Sequence, residues 1–350
     1  FKVMTGTLTN QMTLRNLRTG TEERMARIYT LKGKKQTEVD SLACGDIGMI
    51  AKLSDTETSD TLALSPNARA YAGISFPEPF YSRAIVPKAK GDEDKIASGI
   101  ARLLEEDYTA RFVNDAETKQ LVLSGMGDIH VDVLVSKLKN RYGVSVDMSE
   151  PKIAYRESIR RRIDAEGKHK KQSGGHGQYG HVKIHFAPSD EPGLHCTESV
   201  VGGAVPKNFF PAVEKGLQDS MQKGVLAGFP MMGLSADLYD GSYHDVDSSE
   251  MSFKVAAGLA YKELVNADPV LLEPVGELRV EVPGDDVGDV MSDLNKRRGR
   301  VLGIDPSERK KNWQTVVAEV PKAEMSDYTV ALRAITQGMG SYTYRPVRYE

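Results

Sequence analysis

The chain has 350 residues, of which 40% are hydrophobic and 27% are charged, and its formal net charge is -3. This composition is typical of globular domains, and the acidic total excludes a chain that binds nucleic acid through its overall charge, so any such surface must be local. Two widely spaced cysteines, Cys44 and Cys196, exclude a disulfide framework and a cysteine zinc site, and no apolar run is long enough for a membrane helix, so we expect a cytoplasmic protein with no membrane partner.

Residues 1–75 are predicted to form a small β-barrel. Short segments rich in branched residues lie at 3–8, 12–17, 24–31, 36–39 and 47–53. Turn residues separate them, and short strands at near-regular spacing favour a barrel. The first residues have the pattern of a strand interior and lack an initiating methionine, so we expect the chain to be a fragment of a longer protein.

Residues 76–148 and 272–350 each show the order β-α-β-β-α-β, which predicts two ferredoxin-like α+β domains. In the first copy, apolar residues at helical spacing predict a helix over 92–107. A second helix is predicted over 128–142, ending at Gly143. Its inward residues are predicted to be Ile129, Val133, Val135 and Leu138.

Residues 149–271 are predicted to form a different α+β domain that carries a basic, glycine-rich stretch at 168–180. Its G-x-G-x-x-G, Gly175 to Gly180, matches the dinucleotide-binding fingerprint. The residues before it are too polar for a buried strand, and a half-buried strand follows where a helix is needed. We therefore interpret the stretch as a long, mobile, cationic loop that enters a strand over 181–186. Another strand is predicted over 153–163.

The segment 156–183 contains eight lysines and arginines against three carboxylates, a local excess of +5 in an acidic chain. Such an excess beside exposed glycine and tyrosine attracts a phosphate backbone. A solvated charged strand face is an equally good interpretation of the charge alone.

The motifs of nucleotide hydrolysis are absent. No G-x-x-x-x-G-K-[ST] loop occurs, so we expect no catalysis and no cofactor in this chain. His244, Asp245 and Ser248 are the residue types of a hydrolase triad, but they are crowded into one short stretch without a G-x-S-x-G elbow. His244 precedes a predicted helix whose cap is Asp247, and it either helps to cap this helix or donates to a phosphate or ribose.

A metal site is not expected. His176, His181 and His185 cluster in the sequence, but no acidic or cysteine partner is placed nearby. A loop histidine and two histidines on a solvent-facing strand explain the pattern more simply.

Several motifs together resemble the bacterial elongation factor G family: QSGGHGQYGHV at 172–182, GSYHDVDSSE at 241–250, DLNKRRG at 293–299 and QGMGSYT at 337–343. The resemblance covers the whole chain. It implies a multidomain fold, with a β-barrel second domain at 1–75, a ferredoxin-like third domain at 76–148, a fourth domain similar to ribosomal protein S5 at 149–271, and a ferredoxin-like fifth domain at 272–350. It also implies a GTPase of tRNA–mRNA translocation and ribosome recycling, whose GTP- and Mg-binding domain lies upstream.

The resemblance further implies two ribosomal RNA contacts for a monomeric protein. The fourth-domain tip would enter the small-subunit decoding region beside tRNA and mRNA. That tip would comprise Ser173, Gly174, Gly175, His176, Gly177, Gln178, Tyr179, Gly180, Tyr243, His244, Asp245 and Asp247. The fifth domain would approach sarcin–ricin and stalk-base RNA of the large subunit through Lys296, Arg297, Arg298 and Arg300. Flexible glycine backbone allows close approach to phosphates and 2′-hydroxyls.

Two departures from the family pattern are notable. His176 and Met339 stand where the housekeeping factor often has arginine, which removes permanent charges from RNA-facing positions. This predicts a divergent paralogue with weak or specialised translocation activity. The alternatives are a ribosome-protection protein, which usually differs in the fourth-domain loops, and an enzyme centred on His244.

Overall fold

The computed structural model describes residues 1–172, 177–307 and 310–350. The chain divides into two compact units, Phe1–Pro77 and Glu78–Glu350. Among the described residues, buried apolar side chains form four clusters, one in the first unit and three in the second. No helix of this described part is long and apolar enough to cross a membrane.

The first unit is the predicted small β-barrel. Its strands are β1 (Thr7–Thr9), β2 (Thr13–Asn16), β3 (Glu22–Arg24), β4 (Ile28–Lys32), β5 (Lys35–Val39), β6 (Ser41–Ala43) and β7 (Leu62–Ala63). They pair as β1-β6, β3-β2-β7 and β4-β5 around one apolar core. The strand predicted at 47–53 was wrong, because only isolated bridges form at Ile47 and Met49 and the Ile47 side chain is 72% exposed.

The buried carboxylate of Asp60 connects the segment 57–60 to residues 16–18. Asp60 accepts hydrogen bonds from Arg18 Nε at 2.6 Å, Asn16 Nδ2 at 2.8 Å and the Glu57 N–H at 2.9 Å. Its side chain is only 5% exposed. The hydrogen bond from Arg18 and these other donors hold the pKa of Asp60 well below its ordinary value of 3.8.

This depressed pKa predicts acid sensitivity of the first unit. Because the folded form holds the carboxylate ionised, its stabilisation is present above about pH 4 and is lost as the pH falls further. We expect Asp60→Asn to cost about 1.5–3 kcal/mol at pH 7 and to flatten the pH dependence. Amide hydrogen exchange of β2 between pH 7 and pH 3 measures both effects. An unchanged pH profile in Asp60→Asn would contradict this account.

The third domain is ferredoxin-like, as predicted. It contains β8 (Tyr81–Pro87), α1 (Glu93–Glu106), β9 (Arg111–Asp115), β10 (Gln120–Gly125), α2 (Asp128–Tyr142) and β11 (Val146–Ser149), with the sheet order β11-β8-β10-β9. Gly143 ends α2 in the left-handed region at φ 69°. The inward face predicted for α2 was partly wrong, because Ile129 is 66% and Val133 44% exposed while Val131, Leu134 and Leu138 are buried. Two apolar stripes run along this helix, and spacing alone does not tell which one faces the sheet.

The fourth domain is a mixed, S5-like α+β domain. Its elements are β12 (Arg156–Ile159), β13 (Ile163–Lys171), β14 (Gln178–Pro188), β15 (Gly193–Glu198), α3 (Phe210–Met221), β16 (Gly233–Ser242), α4 (Glu250–Lys262) and β17 (Pro269–Leu272). The main sheet has the order β13-β14-β16-β15, with β15 and β16 parallel. Helices α3 and α4 share one apolar core with it, and β12 pairs with β17.

Two strand predictions in this domain were wrong. The strand predicted over 153–163 is confined to β12, and the stretch 168–171, predicted as loop, is the end of β13. The buried residues of β13 are Ala165 and Gly167, and a Cβ on Gly167 would lie 2.0 Å from the Ala256 carbonyl oxygen of α4. A strand whose inward residues must be this small carries no alternating hydrophobic signal, which is why the sequence did not reveal it.

The fifth domain repeats the architecture of the third. It contains β18 (Pro274–Pro283), α5 (Val287–Lys296), β19 (Arg300–Pro306), β20 (Trp313–Pro321), α6 (Tyr328–Ile335) and β21 (Ser341–Tyr349). Its sheet order, β19-β20-β18-β21, is that of the third domain read from the other edge. The predicted repeat is therefore confirmed.

Side-chain contacts tie the three domains of the second unit together. Arg333 of the fifth domain donates two hydrogen bonds to Asp128 of the third, at 2.9 and 3.2 Å. Arg156 of the fourth domain pairs with Glu117 of the third and lies over the Tyr349 ring of the fifth. The contacts of Arg156 thus connect the fourth domain to both ferredoxin-like domains.

Candidate nucleic-acid interface

The tip of the fourth domain is built from two loops that hydrogen bonds join. The Gly177 N–H donates to Asp247 Oδ1 at 2.8 Å, and the Tyr179 N–H donates to the Asp247 carbonyl oxygen at 2.8 Å. Ser248 Oγ donates to the Tyr179 carbonyl oxygen at 2.9 Å. The β13–β14 hairpin and the loop after β16 therefore present one surface, although about seventy residues separate them.

The hydrogen bond from Gly177 to Asp247 explains why the prediction of Asp247 as the helix cap was wrong. Helix α4 begins at Glu250, and its N-cap is Ser249, whose side chain accepts a hydrogen bond from the Ser252 N–H at 3.2 Å. The Asp247 carboxylate instead holds Gly177 across the tip. Both serines and aspartates suit a cap, so only the tertiary contact decides between them.

His244 is oriented by the backbone of its own loop. Its Nδ1 accepts hydrogen bonds from the Val246 and Asp247 N–H groups, each at 3.3 Å. A nitrogen that accepts carries no hydrogen in the neutral ring, so the hydrogen is on Nε2. The side chain is 58% exposed, which leaves this Nε2–H as a donor to solvent or to a ligand.

The same geometry does not support a hydrolase centred on His244. The Ser248 hydroxyl accepts from the His244 N–H at 2.9 Å and donates to Tyr179, so both of its hydrogen bonds go to the backbone. A nucleophilic serine needs its hydroxyl bonded to the imidazole of the base. The loop is a turn closed by Ser248.

A polar network supports the tip from the open face of the sheet. Ser242 Oγ lies 2.7 Å from both Tyr179 Oη and His181 Nδ1, and His181 Nε2 lies 2.8 Å from Glu166 Oε1. His181 is only 9% exposed. Sequence reasoning missed Ser242 and considered Ser248 only as a hydrolase candidate, because hydroxyl residues in a loop motif gain a role only through the register of the strands around them.

The prediction that His181 and His185 lack acidic partners was wrong. Glu166 pairs with His181, and Asp164 lies 2.5 Å from His185 Nδ1. Both partners are on the neighbouring strand β13, Asp164 directly opposite His185 and Glu166 diagonal to His181, so sequence distance concealed them. Within residues 1–172, 177–307 and 310–350, no group of three or more histidine, cysteine or acidic side chains is placed to hold a metal ion.

Close packing rather than conformational freedom requires Gly180. A Cβ at this position would lie 2.5 Å from the Ser252 carbonyl oxygen at the start of α4. Helix α4 thus lies directly against the strand that leads to the tip, and the second loop is brought beside the first.

Four family models match consecutive parts of the chain: Elongation factor G domain 2 at residues 1–65, domain III at 76–150, domain IV at 151–267 and the C-terminus at 270–350. The chain belongs to the elongation factor G family. An elongation factor G-like protein of Thermotoga maritima is 45% identical over 351 residues, covering 100% of this chain and 51% of that protein. A crystal structure from Thermus thermophilus matches with a TM-score of 0.81 and 37% identity, over 98% of this chain and 51% of that one. The chain thus spans about half the length of these relatives.

The remaining tip residues predicted from the elongation factor G resemblance differ in exposure and in hydrogen bonding. Tyr243 is 44% exposed and Asp245 is exposed. Gln178 is exposed, and its Oε1 accepts a hydrogen bond from His169 Nε2 at 2.9 Å. Ser173, Gly174, Gly175 and His176 lie outside the described residues.

The four predicted cations of the fifth elongation factor G domain are not equivalent. Arg297 is 11% exposed, with Nε 2.7 Å from Asp293 Oδ2 and Nη1 2.5 Å from Asp327 Oδ1, so it stabilises the fifth domain itself. Arg298 pairs with Glu273 and Glu324, and Arg300 with Glu319. Lys296 is exposed, and it makes no ion pair with any residue that the structure describes.

Proposed function

We propose that this chain is the ribosome-binding part of a translational GTPase that drives tRNA–mRNA translocation and acts in ribosome recycling. Its fourth-domain tip would contact RNA of the small-subunit decoding region beside tRNA and mRNA, and its fifth domain would contact sarcin–ricin and stalk-base RNA of the large subunit. A domain upstream would bind GTP and Mg²⁺. The family models along the whole chain and the geometry of the tip support this proposal.

The observation that carries the proposal is the pair of hydrogen bonds to Asp247, one from Gly177 of the first loop and one from Tyr179 at the start of β14. A part that displaces RNA by contact must not deform when it meets resistance. A loop without such bonds would bend, whereas the hydrogen bonds of Gly177 and Tyr179 to Asp247 resist separation of the two segments.

The exposed groups of the tip suit RNA. The Nε2–H of His244 can donate to a phosphate or a 2′-hydroxyl, and the Tyr243 ring can pack on a base or sugar. Lys168, Lys170 and Lys171 are exposed along the end of β13, behind the first loop. Their positive charges can contact RNA phosphates beside the tip.

In the fifth domain, the structure favours Lys296 over Arg297 as a phosphate contact. Arg298 and Arg300 are 53% and 69% exposed, so their guanidinium groups can exchange a carboxylate for a phosphate. Exposed ion pairs are weak enough for this exchange.

Asp247→Ala in the full-length protein tests the proposal. Removing the carboxylate leaves the Gly177 N–H without its partner and loosens the junction between the two loops, which then depends on the bonds of Tyr179 to Asp247 and Ser248 alone. We expect the rate of a single round of translocation to fall about tenfold to 10²-fold, since small displacements of positioning groups cost this much. Ribosome-stimulated GTP hydrolysis should change little, because it depends on the upstream domain.

Asp190→Ala is the matched control. It removes the same charge from an exposed residue after β14, at the end of the sheet away from the tip. We expect translocation by this variant to equal that of the unaltered protein. Normal translocation by Asp247→Ala would refute the proposed role of the joined tip.

A further inference from the structure

His181 lies in a row of four side chains that runs from solvent to the fourth-domain tip. Glu166 of β13 stands at the outer end, with Oε1 2.8 Å from His181 Nε2. His181 Nδ1 lies 2.7 Å from Ser242 Oγ, and Ser242 Oγ lies 2.7 Å from Tyr179 Oη. The Glu166 side chain is 58% exposed, whereas that of His181 is 11% exposed. We call these four residues the His181 network.

The number of hydrogens on each group fixes the direction of the bonds in the His181 network. The Glu166 carboxylate only accepts, so Nε2 of the His181 ring carries a hydrogen. In the neutral ring Nδ1 then has none, and it accepts from the Ser242 hydroxyl. That hydroxyl has a single hydrogen, so its oxygen accepts from Tyr179. While His181 is neutral, the Tyr179 O–H is therefore held inward as a donor.

Protonation of His181 ends this order. Both ring nitrogens then carry hydrogens, so Nδ1 donates to Ser242 Oγ instead of accepting from it. The Ser242 hydrogen must leave Nδ1, and it turns either to Tyr179 Oη or to solvent. Hydrogen bonds that follow one another in one direction along a chain strengthen each other, and this support is then lost. In both arrangements the bond that holds the Tyr179 O–H inward is reversed or weakened.

The charged groups around His181 come from three strands. Glu166 and Lys168 are on β13, where Lys168 lies directly opposite His181. Lys183 is on β14, and Asp240 lies opposite it on β16. The hydrogen bond of 2.8 Å between Lys183 Nζ and Asp240 Oδ2 raises the pKa of Lys183 and lowers the pKa of Asp240. This pair therefore keeps its charges between about pH 5 and pH 8, the range in which an imidazole ionises.

Tyr179 connects the His181 network to both loops of the tip. Its N–H donates to the Asp247 carbonyl oxygen at 2.8 Å, and its carbonyl oxygen accepts from Ser248 Oγ at 2.9 Å. The backbone of Tyr179 thus holds the second loop, while Ser242 holds its hydroxyl. Release of the hydroxyl removes one of these two attachments, so the tip is then positioned less firmly.

We propose that His181 is a positioning residue whose protonation state controls how firmly Tyr179 fixes the fourth-domain tip. In the neutral state, His181 acts through Ser242 to hold the Tyr179 hydroxyl, and the tip is fixed. In the protonated state the hydroxyl is released. The consequence for translocation rests on the proposed function, whereas the coupling of His181 to Tyr179 does not.

Nuclear magnetic resonance of isotope-labelled tyrosine Cζ and histidine Cε1 measures this coupling in the chain, with Tyr179→Phe and His181→Gln to assign the two signals. We expect the Tyr179 signal to shift with the same midpoint as the His181 signal between about pH 5 and pH 8. In Ser242→Ala, His181 should still titrate, but most of the Tyr179 shift should be lost. An unmoved Tyr179 signal in the unaltered chain would overturn the proposal. So would an equal shift in Ser242→Ala, because the charge of His181 would then act through space alone.

The rate of a single round of translocation by the full-length protein gives the functional readout. We expect Ser242→Ala to lower this rate by about 2- to 10-fold near pH 8, which is the effect of one lost hydrogen bond. The difference should close as the pH falls to about 6, because protonation of His181 has already released the hydroxyl in the unaltered protein. A serine with a merely structural role would give the same ratio of rates at every pH, and that result would refute the proposal.

Ser235→Ala is the matched control. Ser235 is on β16 like Ser242, but at the other end of the strand, opposite Ala187. We expect its translocation rate to equal that of the unaltered protein at each pH. Melting temperatures show whether the two serine variants fold. Tyr179→Phe removes the same hydrogen bond and leaves Ser242 in place, so it should give the same pH-dependent ratio even where Ser242→Ala is unstable.

The resonance experiment separates this proposal from the proposed function. If Asp247→Ala translocates normally while the two signals titrate together, the proposed role of the joined tip fails and the coupling of His181 to Tyr179 stands. If Asp247→Ala is slow and the two signals are independent, the proposal for His181 fails alone.

Discussion

Deletion of residues 173–177 from the full-length protein is expected to lower the rate of tRNA–mRNA translocation by about 10²-fold or more, while ribosome-stimulated GTP hydrolysis stays within about threefold. The deletion removes the first loop of the tip. With it goes the Gly177 N–H, which donates a hydrogen bond to Asp247 Oδ1. Under the proposed function, the fourth domain would then lack the joined surface that contacts the decoding RNA. The proposed GTP-binding domain would not be altered by the deletion.

The bounds of β13 and β14 limit how far this deletion can extend. Residues 168–171 belong to β13 and 178–180 to β14, and the register pairs Lys171 with Gln178. Ending the deletion at Gly177 therefore keeps every residue of both strands, although the Lys171–Gln178 pair at the end must open because Gln172 alone then connects them. A larger deletion over 168–180 would damage the sheet and confuse loss of the tip with loss of the fold.

A second variant separates the length of the loop from its side chains. Replacing 173–177 with five glycine and serine residues keeps the length and removes His176. We expect this variant to translocate at a rate between those of the deletion and the unaltered protein, as measured by rapid mixing with pre-translocation ribosomes. Normal translocation by the deletion variant would contradict the proposed function.

Glu157→Ala is expected to produce the largest loss of stability, about 3–5 kcal/mol. Glu157 is fully buried, and its carboxylate accepts hydrogen bonds from the N–H groups of the four residues Leu226, Ala227, Gly228 and Phe229, at 2.7 to 3.0 Å. Its removal leaves these four backbone donors without their shared acceptor and leaves a gap at a fully buried position, and unpaired donors are costly where water does not reach them. The segment after α3 would lose its support.

Urea unfolding followed by circular dichroism measures this loss, and hydrogen exchange at residues 226–229 locates it. The free energy of unfolding of Glu157→Gln should lie between those of Glu157→Ala and the unaltered chain. The amide keeps one acceptor oxygen, but its NH₂ group, a donor, would face backbone N–H groups that are also donors. Glu198→Ala removes an exposed carboxylate of the same domain and should change the free energy of unfolding by less than about 0.5 kcal/mol. If Glu157→Ala cost no more than Glu198→Ala, the buried carboxylate would have no structural role.

Elements with strong local signals could be predicted from the sequence. Helix α1 and the glycine that ends α2 follow from apolar spacing and from the left-handed preference of Gly143. The two ferredoxin-like domains follow from the order of such elements, because that order permits few ways to cover a four-stranded sheet.

Elements whose inward residues are small or polar could not be predicted in this way. The end of β13 packs Gly167 against the backbone of α4, and its lysines face solvent. The face of α2 was misjudged at Ile129, because an exposed apolar residue has the same spacing as a buried one. In each case packing against a distant element overrides the local pattern.

The sequence by itself determined the family, the α+β classes of the second unit and the two loop motifs of the tip, because these depend on local composition and spacing. Only the tertiary structure decided which residues act together. It gave the Asp247 carboxylate to Gly177 rather than to the helix end, turned Arg297 inward, and brought Glu166 beside His181. The reason is physical: a carboxylate, a guanidinium or an imidazole group has no preferred partner along the chain, and its partner is whichever charge or N–H the fold brings within hydrogen-bonding distance.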